Sequence, residues 1–264
     1  MPPITLLSDF GQFYPSIMKG VILNINHHAA IVDITHSVQP QNIREGAFLL
    51  MCAAPYFPSG TVHIAVVDPG VGTSRRAIAV EARGHDRARG YGLINQYFVG
   101  PDNGILIPAA RRTGEITVYA IDESDFPDAS RTFHGRDIFA PVGALLSKGH
   151  AINELGTPVD DYKIIDFEMS LEEKRIRGEV IYIDSFGNII TSIPGSIVAE
   201  RARFGSDLRV NGRTMRFLQT YGLAAGGEPL ATIGSHQCLE IAMNRRSAAM
   251  FMRLSVGDRV EVVF

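Results

Sequence analysis

The chain has little of what several common functional classes require. Its two cysteines, Cys52 and Cys238, stand far apart in 264 residues and in no Cys-x-x-Cys spacing. That argues against a disulfide framework and a cysteine-built zinc site. Both sit in apolar runs and read as buried free thiols. None of the eight histidines falls in a His-x-x-x-His or His-Glu-x-x-His spacing, so no metal site is expected. Neither sign of charge dominates: 25 Lys and Arg against 28 Asp and Glu leave a net charge of -3, which argues against a general nucleic-acid surface. The Arg-Arg pairs at 75–76, 111–112 and 245–246 are scattered, as solvated charges usually are. The longest apolar stretch, 47–57, is too short to span a bilayer. The start Met-Pro-Pro-Ile-Thr lacks the basic-then-apolar order of a signal peptide. A soluble, cytoplasmic protein is the expectation. No internal repeat and no low-complexity segment occurs.

What is present is an ordinary globular composition, 45% hydrophobic and 20% charged, enough for a sizeable core. Up to about residue 150 strand-like and helix-like runs alternate. Ile4–Ser8 reads as a strand, 14–26 as a helix with Ile17, Val21 and Ile25 on one face, and 30–34 as a strand. Asn42, with Glu45 three residues on, suits the cap of a helix over 43–54, and Pro55 and Pro58 end it. Strands follow at 61–67, 77–82, 93–99 and 115–121, with a polar loop at 83–90 and a helix over 137–148 carrying Pro141 in its first turn. This alternation is the signature of an α/β domain with a mainly parallel central sheet.

The pattern changes near residue 170. A charged stretch, 168–178, gives way to short runs at 179–184, 188–193, 207–210, 214–218, 230–233, 238–243 and 259–264. Turn residues such as Asn211-Gly212 and Gly226-Gly227 separate them. That is the reading of a smaller all-β barrel or sandwich. The expected domains are 1–170 and 171–264.

One stretch organises the N-terminal half. The apolar run from Thr61 stops at Asp68, Pro69 fixes the backbone, Gly70 and Gly72 permit close approach, and Arg75 and Arg76 follow. Ligands of open α/β sheets bind outside the carboxyl ends of the strands, so a carboxylate there is a candidate site residue. The glycines carry no Gly-Lys-Ser/Thr and so form no Walker loop, and Arg75 occupies the third glycine of a dinucleotide fingerprint. Strand, Asp and Gly recur at Ser8-Asp9-Phe10-Gly11. In Pro101-Asp102-Asn103-Gly104, Asp102 sits in turn chemistry. Thr132-Phe-His-Gly-Arg-Asp137 places His134 and Arg136 before a helix, where backbone donors favour polar or anionic ligand atoms. Acid, base and cation are then all available to one site. Asp184-Ser-Phe-Gly-Asn188 reads as a hairpin loop; Phe186 offers a stacking face and Asn188 an amide suited to a heteroaromatic base. His27-His28 follows a helix, and His36 stands alone after a strand.

Ser8-Asp-Phe-Gly11, Met18-Lys-Gly20, Val67-Asp-Pro-Gly-Val-Gly-Thr73, Pro101-Asp-Asn-Gly104, Phe133-His-Gly-Arg-Asp137, Asp184-Ser-Phe-Gly-Asn188 and Leu239-Glu-Ile-Ala-Met-Asn244 occur in this order. Together they resemble the S-adenosyl-L-methionine (SAM) hydroxide adenosyltransferases, or SAM hydrolases, relatives of the fluorinating and chlorinating adenosyl enzymes. The resemblance covers nearly the whole chain. It implies an α/β N-terminal domain and a C-terminal β-barrel, assembled as a homotrimer with the ligand between neighbouring subunits. It implies hydrolysis of SAM to adenosine and methionine, with SAM as substrate and no further cofactor or metal. The catalytic set falls on Asp68, Arg75 and His134, and the ribose-holding carboxylate on Asp9. The adenine and methionine contacts fall on Asp184, Phe186, Asn188 and Ser235. Halogenating relatives carry Tyr where this chain has Asp68. A halide adenosyltransferase and a non-catalytic SAM or adenosine binder are the alternatives. The loop after Gly11 is shorter here than is usual in the family, and His236-Gln237 and Arg246 stand where glycine is usual.

Elementary chemistry assigns provisional roles. The leaving group is a neutral thioether and needs no acid. Arg75 beside Asp68 lowers the Asp68 pKa. That makes Asp68 an orienter of water and His134 the expected proton acceptor.

Overall fold

A computed structural model describes residues 2–85 and 92–264. Two compact units emerge, Met1–Ile165 and Asp166–Phe264.

Among the described residues of the first unit, seven strands form one sheet: β1 (Ile4–Ser8), β2 (Ile31–Thr35), β3 (Val62–Val66), β4 (Ala77–His85), β5 (Leu93–Pro101), β6 (Glu115–Ile121) and β7 (Gly156–Val159). Their order is β2-β1-β3-β5-β4-β6-β7. The first four run parallel, and β4, β6 and β7 each pair antiparallel to the preceding neighbour. Five of the seven strands therefore share one direction, a mainly parallel sheet. The insertion of β4 against β5 has a consequence for chemistry. Ala77 pairs with Pro101, so the residues before β4 meet the carboxyl ends of β1, β3 and β5 at one sheet edge.

Helices cover both faces. α1 (Tyr14–Ile25) and α4 (Ala140–Ser147) share a core with Ile4, Leu6, Val62, Ile64 and Val66. α2 (Ile43–Ala53) and α3 (Ile107–Thr113) share the other with Leu7, Ala65, Val67, Val80 and Phe98. The alternation along β3 is the two-residue period of a strand buried on both faces. The α1 face turns by one position from the expected one: Pro15, Met18 and Ile22 are buried, with Val21 and Ile25 packed at the margin. α2 begins as its cap predicts, with Asn42 Oδ1 accepting from Glu45 N at 3.1 Å, and a short 3-10 turn with Pro55 ends it. Strand β4 continues to His85, past the loop expected from 83; the rest of that loop, 86–90, lies outside the described residues. α3 and β7 carry no signal strong enough to be read from sequence, being short and half polar.

The second unit is a barrel. Strands β9 (Arg175–Ile183), β10 (Ile189–Pro194), β11 (Asp207–Val210), β12 (Arg213–Phe217), β13 (Pro229–Ile233), β14 (Cys238–Met243) and β15 (Arg259–Val263) follow the order β10-β14-β13-β12-β11-β15-β9. A β9–β10 pairing closes the ring. Closure removes the unpaired edges that an open sandwich leaves. Its interior is filled by Ile176, Val180, Ile189, Phe217, Leu239, Ile241 and Val260. An outer strand, β8 (Met169–Glu172), pairs with β9. The charged run Glu172-Glu-Lys-Arg175 is thus the turn of a hairpin, and a boundary at 170 would cut β8; the division falls between Ile165 and Asp166.

One polar group lies deep in the first unit. His63 is fully buried, stacked at 4.9 Å on Phe98, with Nδ1 2.7 Å from Thr5 Oγ1. Burial holds its pKa down at about 3. Below the ordinary value near 6.5 the unfolded chain takes up this proton and the folded chain does not. The stability advantage of neutral His63 is therefore complete above pH 6.5 and is lost as pH falls from there toward 3, at up to about 1.4 kcal/mol per pH unit. Denaturant titrations between pH 7.5 and 4.5 should show the stability gap between wild type and His63→Phe shrinking at roughly that slope. Parallel curves would remove His63 as the source.

Candidate active site

The site is assembled where β1, β3 and β5 end and β4 begins. Ser8 is in register with Val66, which puts Asp9 and the residues leading to Asp68 on adjacent strand ends. Past Asp68 the chain turns tightly: Val71 N donates to Asp68 O at 3.3 Å and Thr73 N to Gly70 O at 3.2 Å. Gly72 has φ +73°, and a Cβ there would lie 2.1 Å from the Arg131 carbonyl oxygen. Only glycine fits so close an approach. The turn folds Arg75 back onto the carboxylate seven residues before it.

The Asp68–Arg75 contact is bidentate. Arg75 Nη2 donates to Asp68 Oδ2 at 2.6 Å and Nε to Oδ1 at 3.2 Å. The two side chains are 4% and 5% exposed. Arg75 Nη2 also lies 3.0 Å from His134 Nδ1, and His134 is buried. Asp68, Arg75 and His134 are thus brought together. His134 immediately precedes a π-helical turn, Gly135–Phe139, that runs into α4, and the guanidinium lies 5.5 Å from the Phe139 ring centroid. Arg75 Nη1 is buried without a partner among the described residues.

Two expectations change here. Burial is the larger influence on Asp68 and pushes its carboxyl above the usual range, although Arg75 pulls it down. A guanidinium only donates, so His134 Nδ1 is an acceptor and the ring proton sits on Nε2. To take a proton, His134 would have to release Arg75 and become a cation beside it. The geometry does not suit His134 as the proton acceptor.

A cavity of about 730 Å³ opens on this cluster, lined in part by Asp68, Arg75, Arg76, Asp102 and Lys163. Asp102 is committed to holding the fold: its Oδ2 accepts from Arg76 Nε and Nη2 at 3.1 and 2.7 Å, and its Oδ1 from Lys163 N at 2.8 Å. Asn103 Nδ2 donates to Val67 O at 2.8 Å, tying this turn to the Asp68 segment. Arg136 is committed to Asp137, at 2.5 and 2.8 Å. Asp9 lies on the next strand end, with Oδ2 accepting from Gln41 N at 2.8 Å. A cavity of about 710 Å³ at the opposite ends of β4 and β5 contains none of these groups.

In the barrel, Asp184 organises its own loop. Oδ1 accepts from Phe186 N and Asn188 N, and Oδ2 from Asn188 Nδ2, each at 2.9 Å. Gly187, at φ +81°, lies against Ser247, where a Cβ would meet the hydroxyl at 2.1 Å. Phe186 is left 78% exposed. A cavity of about 550 Å³ forms here, lined by Asp184, Phe186, Asn188, Tyr221, Arg245 and Ser247, among others. Sequence reasoning missed Tyr221, Arg245 and Ser247. The exposed aromatic in Thr220-Tyr221-Gly222 and the residues directly after the Leu239–Asn244 motif were the available signals. The Tyr221 hydroxyl donates to buried Glu240 Oε1 at 2.6 Å. Burial raises the pKa of both groups, and the charge of Asp184 adds to it. Ser235 is not brought to this cavity. It is exposed in the turn between β13 and β14, whereas Ile241 pairs beside the Asp184 loop, about 10 Å along β14 from its start at Cys238 at about 3.3 Å per residue. Among the described residues no group of three or more His, Cys, Asp or Glu side chains is placed to hold a metal ion, and no helix is long and apolar enough to cross a membrane.

Comparison with known proteins accords with this layout. Residues 4–156 match the SAM hydroxide adenosyltransferase N-terminal domain and residues 178–261 the C-terminal domain. The chain is 36% identical over 269 residues to the (R)-S-adenosyl-L-methionine hydrolase of Salinispora tropica, covering 99% of this chain and 97% of that one. It is 35% identical over 281 residues to the enzyme of the same name from Thermus thermophilus, covering 100% of both. The fluorinase of Actinopolyspora mzabensis is more distant, 28% identical over 289 residues, covering 99% of this chain and 97% of that one. A solved structure of an uncharacterised conserved protein from Thermotoga maritima superposes with a TM-score of 0.88 at 35% identity, covering 99% of this chain and 100% of that one. The chain belongs to the SAM hydroxide adenosyltransferase family.

Proposed function

We propose that the protein hydrolyses S-adenosyl-L-methionine to adenosine and L-methionine by attack of water on C5′. The observation that carries the reading is the buried Asp68–Arg75–His134 cluster at the sheet edge, in a chain of this family. The new bond is C5′–O. The bond that breaks is C5′–S, whose electron pair leaves with the methionine thioether. The water proton is lost, so the products are adenosine, methionine and a proton. The leaving group is neutral, and the reaction so written needs neither a metal nor a cofactor.

Water is the difficult partner. Asp68 takes its proton, being a stronger base than an ordinary carboxylate because of its burial. Arg75, held against Asp68, supplies the positive charge beside which hydroxide character develops on the water. His134 holds Arg75 in place through Nδ1 and keeps Nε2–H as a further donor. Attack of an anion-like oxygen on a sulfonium removes charge in the transition state, so a dry pocket favours it. Asp9 holds the ribose. In the barrel, Asn188 spends its Nδ2 on Asp184, which leaves its carbonyl oxygen for the exocyclic amine of adenine, with Phe186 against the ring. A cytoplasmic homotrimer with substrate between neighbouring copies belongs to the same proposal; the exposed rings of Phe13, Tyr14 and Phe186 support an assembly that covers them.

Incubation with SAM in isotopically labelled water should place the label in the adenosine 5′-hydroxyl, with methionine released unlabelled. A chlorinated nucleoside in the presence of chloride would favour halide transfer, and intact SAM with saturable binding a non-catalytic binder. Asp68→Asn should lower kcat by about 10²- to 10⁴-fold. His134→Asn, which retains an acceptor for Arg75, should lose much less. The reverse order would return the proton to His134. The wild-type rate should rise with pH through an acid limb above the usual carboxylate value of about 4, because Asp68 must be ionised to act. Phe186→Ala should raise KM by roughly 5- to 150-fold with little change in kcat, the range expected for loss of one stacking face. An unchanged KM would remove Phe186 from the site.

A further inference from the structure

We infer that His36, isolated in sequence, is a positioning residue for substrate, acting through the Ser8 hydroxyl on the turn that carries Asp9. The inference rests on the hydrolase reading and on Asp9 as the ribose-holding carboxylate.

Ser8 is the last residue of β1 and is 1% exposed. Its Oγ lies 2.8 Å from His36 Nδ1 and accepts from Phe10 N at 3.3 Å. The His36 carbonyl accepts from Gly11 N at 2.9 Å. The two residues after Asp9 are therefore both held by His36, one through its ring and the other through its backbone. On the far side of the ring, Asp33 Oδ1 stands 3.1 Å from Nε2, off the N–H axis. Asp33 Oδ2 is itself paired with Lys19 Nζ at 2.5 Å.

These contacts set a proton pattern. A carboxylate beside Nε2 favours the proton there. Nδ1 is then an acceptor, and the Ser8 hydroxyl donates to it. With its hydrogen so directed, the Ser8 oxygen presents its lone pairs to Phe10 N–H. The chain Asp33, His36, Ser8 has the composition of an acyl-transfer triad. Ser8 is buried and its hydroxyl is already in use, so it is no nucleophile. What the chain can do is fix the Asp9–Gly11 turn. Gln41 N fixes Asp9 Oδ2 from the same segment, 36–41, leaving Oδ1 for a ribose hydroxyl. A carboxylate so held is preorganised, and a misplacement of about 1 Å at such a group costs up to about 10²-fold.

The test uses the full chain with SAM in steady-state kinetics. His36→Leu should raise KM about 5- to 20-fold and change kcat less than about 3-fold, the split of a residue that serves binding. His36→Asn should restore most of the loss, because its Oδ1 can take the place of Nδ1. In an Asp9→Ala background His36→Leu should add no further rise, since both act through one carboxylate. If His36→Leu does not fold, Ser8→Ala takes its place in the same cycle. An unchanged KM in folded His36→Leu, or an equal added rise in the Asp9→Ala background, overturns the inference. Asp9→Ala with unchanged KM overturns the ribose assignment and this inference with it. A raised KM in Asp9→Ala with none in His36→Leu overturns this inference alone.

Discussion

The site depends on one buried ion pair. Desolvating Asp68 and Arg75 is expensive, and only two well-directed hydrogen bonds in a fixed geometry offset such a cost. The loop from Pro69 to Ser74 exists to produce that geometry. It leaves a rigid strand end, turns at Gly72 against the Arg131 carbonyl, and returns the guanidinium to the carboxylate. The rest follows from how the guanidinium distributes its donors. Nε and one Nη2 hydrogen serve Asp68, the other Nη2 hydrogen serves His134, and Nη1 is left over. The tautomer of His134 follows from this one arrangement, and the carboxyl of Asp68 is set by the contest between its burial, which raises its pKa, and this guanidinium, which lowers it.

The surrounding elements keep that edge still. Asp102 and Asn103 bind Arg76, the 161–163 segment and the end of the β3 run into one block, and segment 36–41 clasps the Asp9 turn. These are hydrogen bonds among loop residues at the ends of a sheet whose β1 and β3 strands are wholly buried. Rigid strands with precise loops are the usual division of labour in a binding site. In the barrel, Asp184 spends both oxygens on its own hairpin and so presents Phe186 to solvent.

Much of this was legible in the chain. The strand-then-Asp-then-Gly pattern at Asp9, Asp68 and Asp102 placed three carboxylates at strand ends. The helix cap at Asn42 and the turn residues of the barrel marked most elements to within a residue or two, although β9 starts at Arg175, four residues before the run expected from 179. The helix α3, the strands β7 and β8 and the division at 165/166 were not legible, because short half-polar segments have no periodicity to read. Tyr221 and Ser235 mark the limit on the site itself. Tyr221 reaches the Asp184 cavity from a loop more than thirty residues away in sequence, and Ser235 sits in the β13–β14 turn, outside that cavity's lining.

Sequence alone determined the residue types and their local geometry: an acid at the end of a buried strand, glycines where backbones crowd, a histidine at the start of a helix, an aromatic in a tight loop. These follow from short-range sterics and two- or three-residue patterns. The tertiary structure decided which of them meet and in what protonation. The antiparallel insertion of β4 beside β5 brings Arg75 and Arg76 to the parallel strand ends. The approach of His134 to Arg75, 59 residues away, settles its tautomer. Burial raises the Asp68 carboxyl above the usual range against the pull of Arg75. Each of these depends on contacts between segments far apart in the chain, and desolvation and directed hydrogen bonds exist only once those contacts are made.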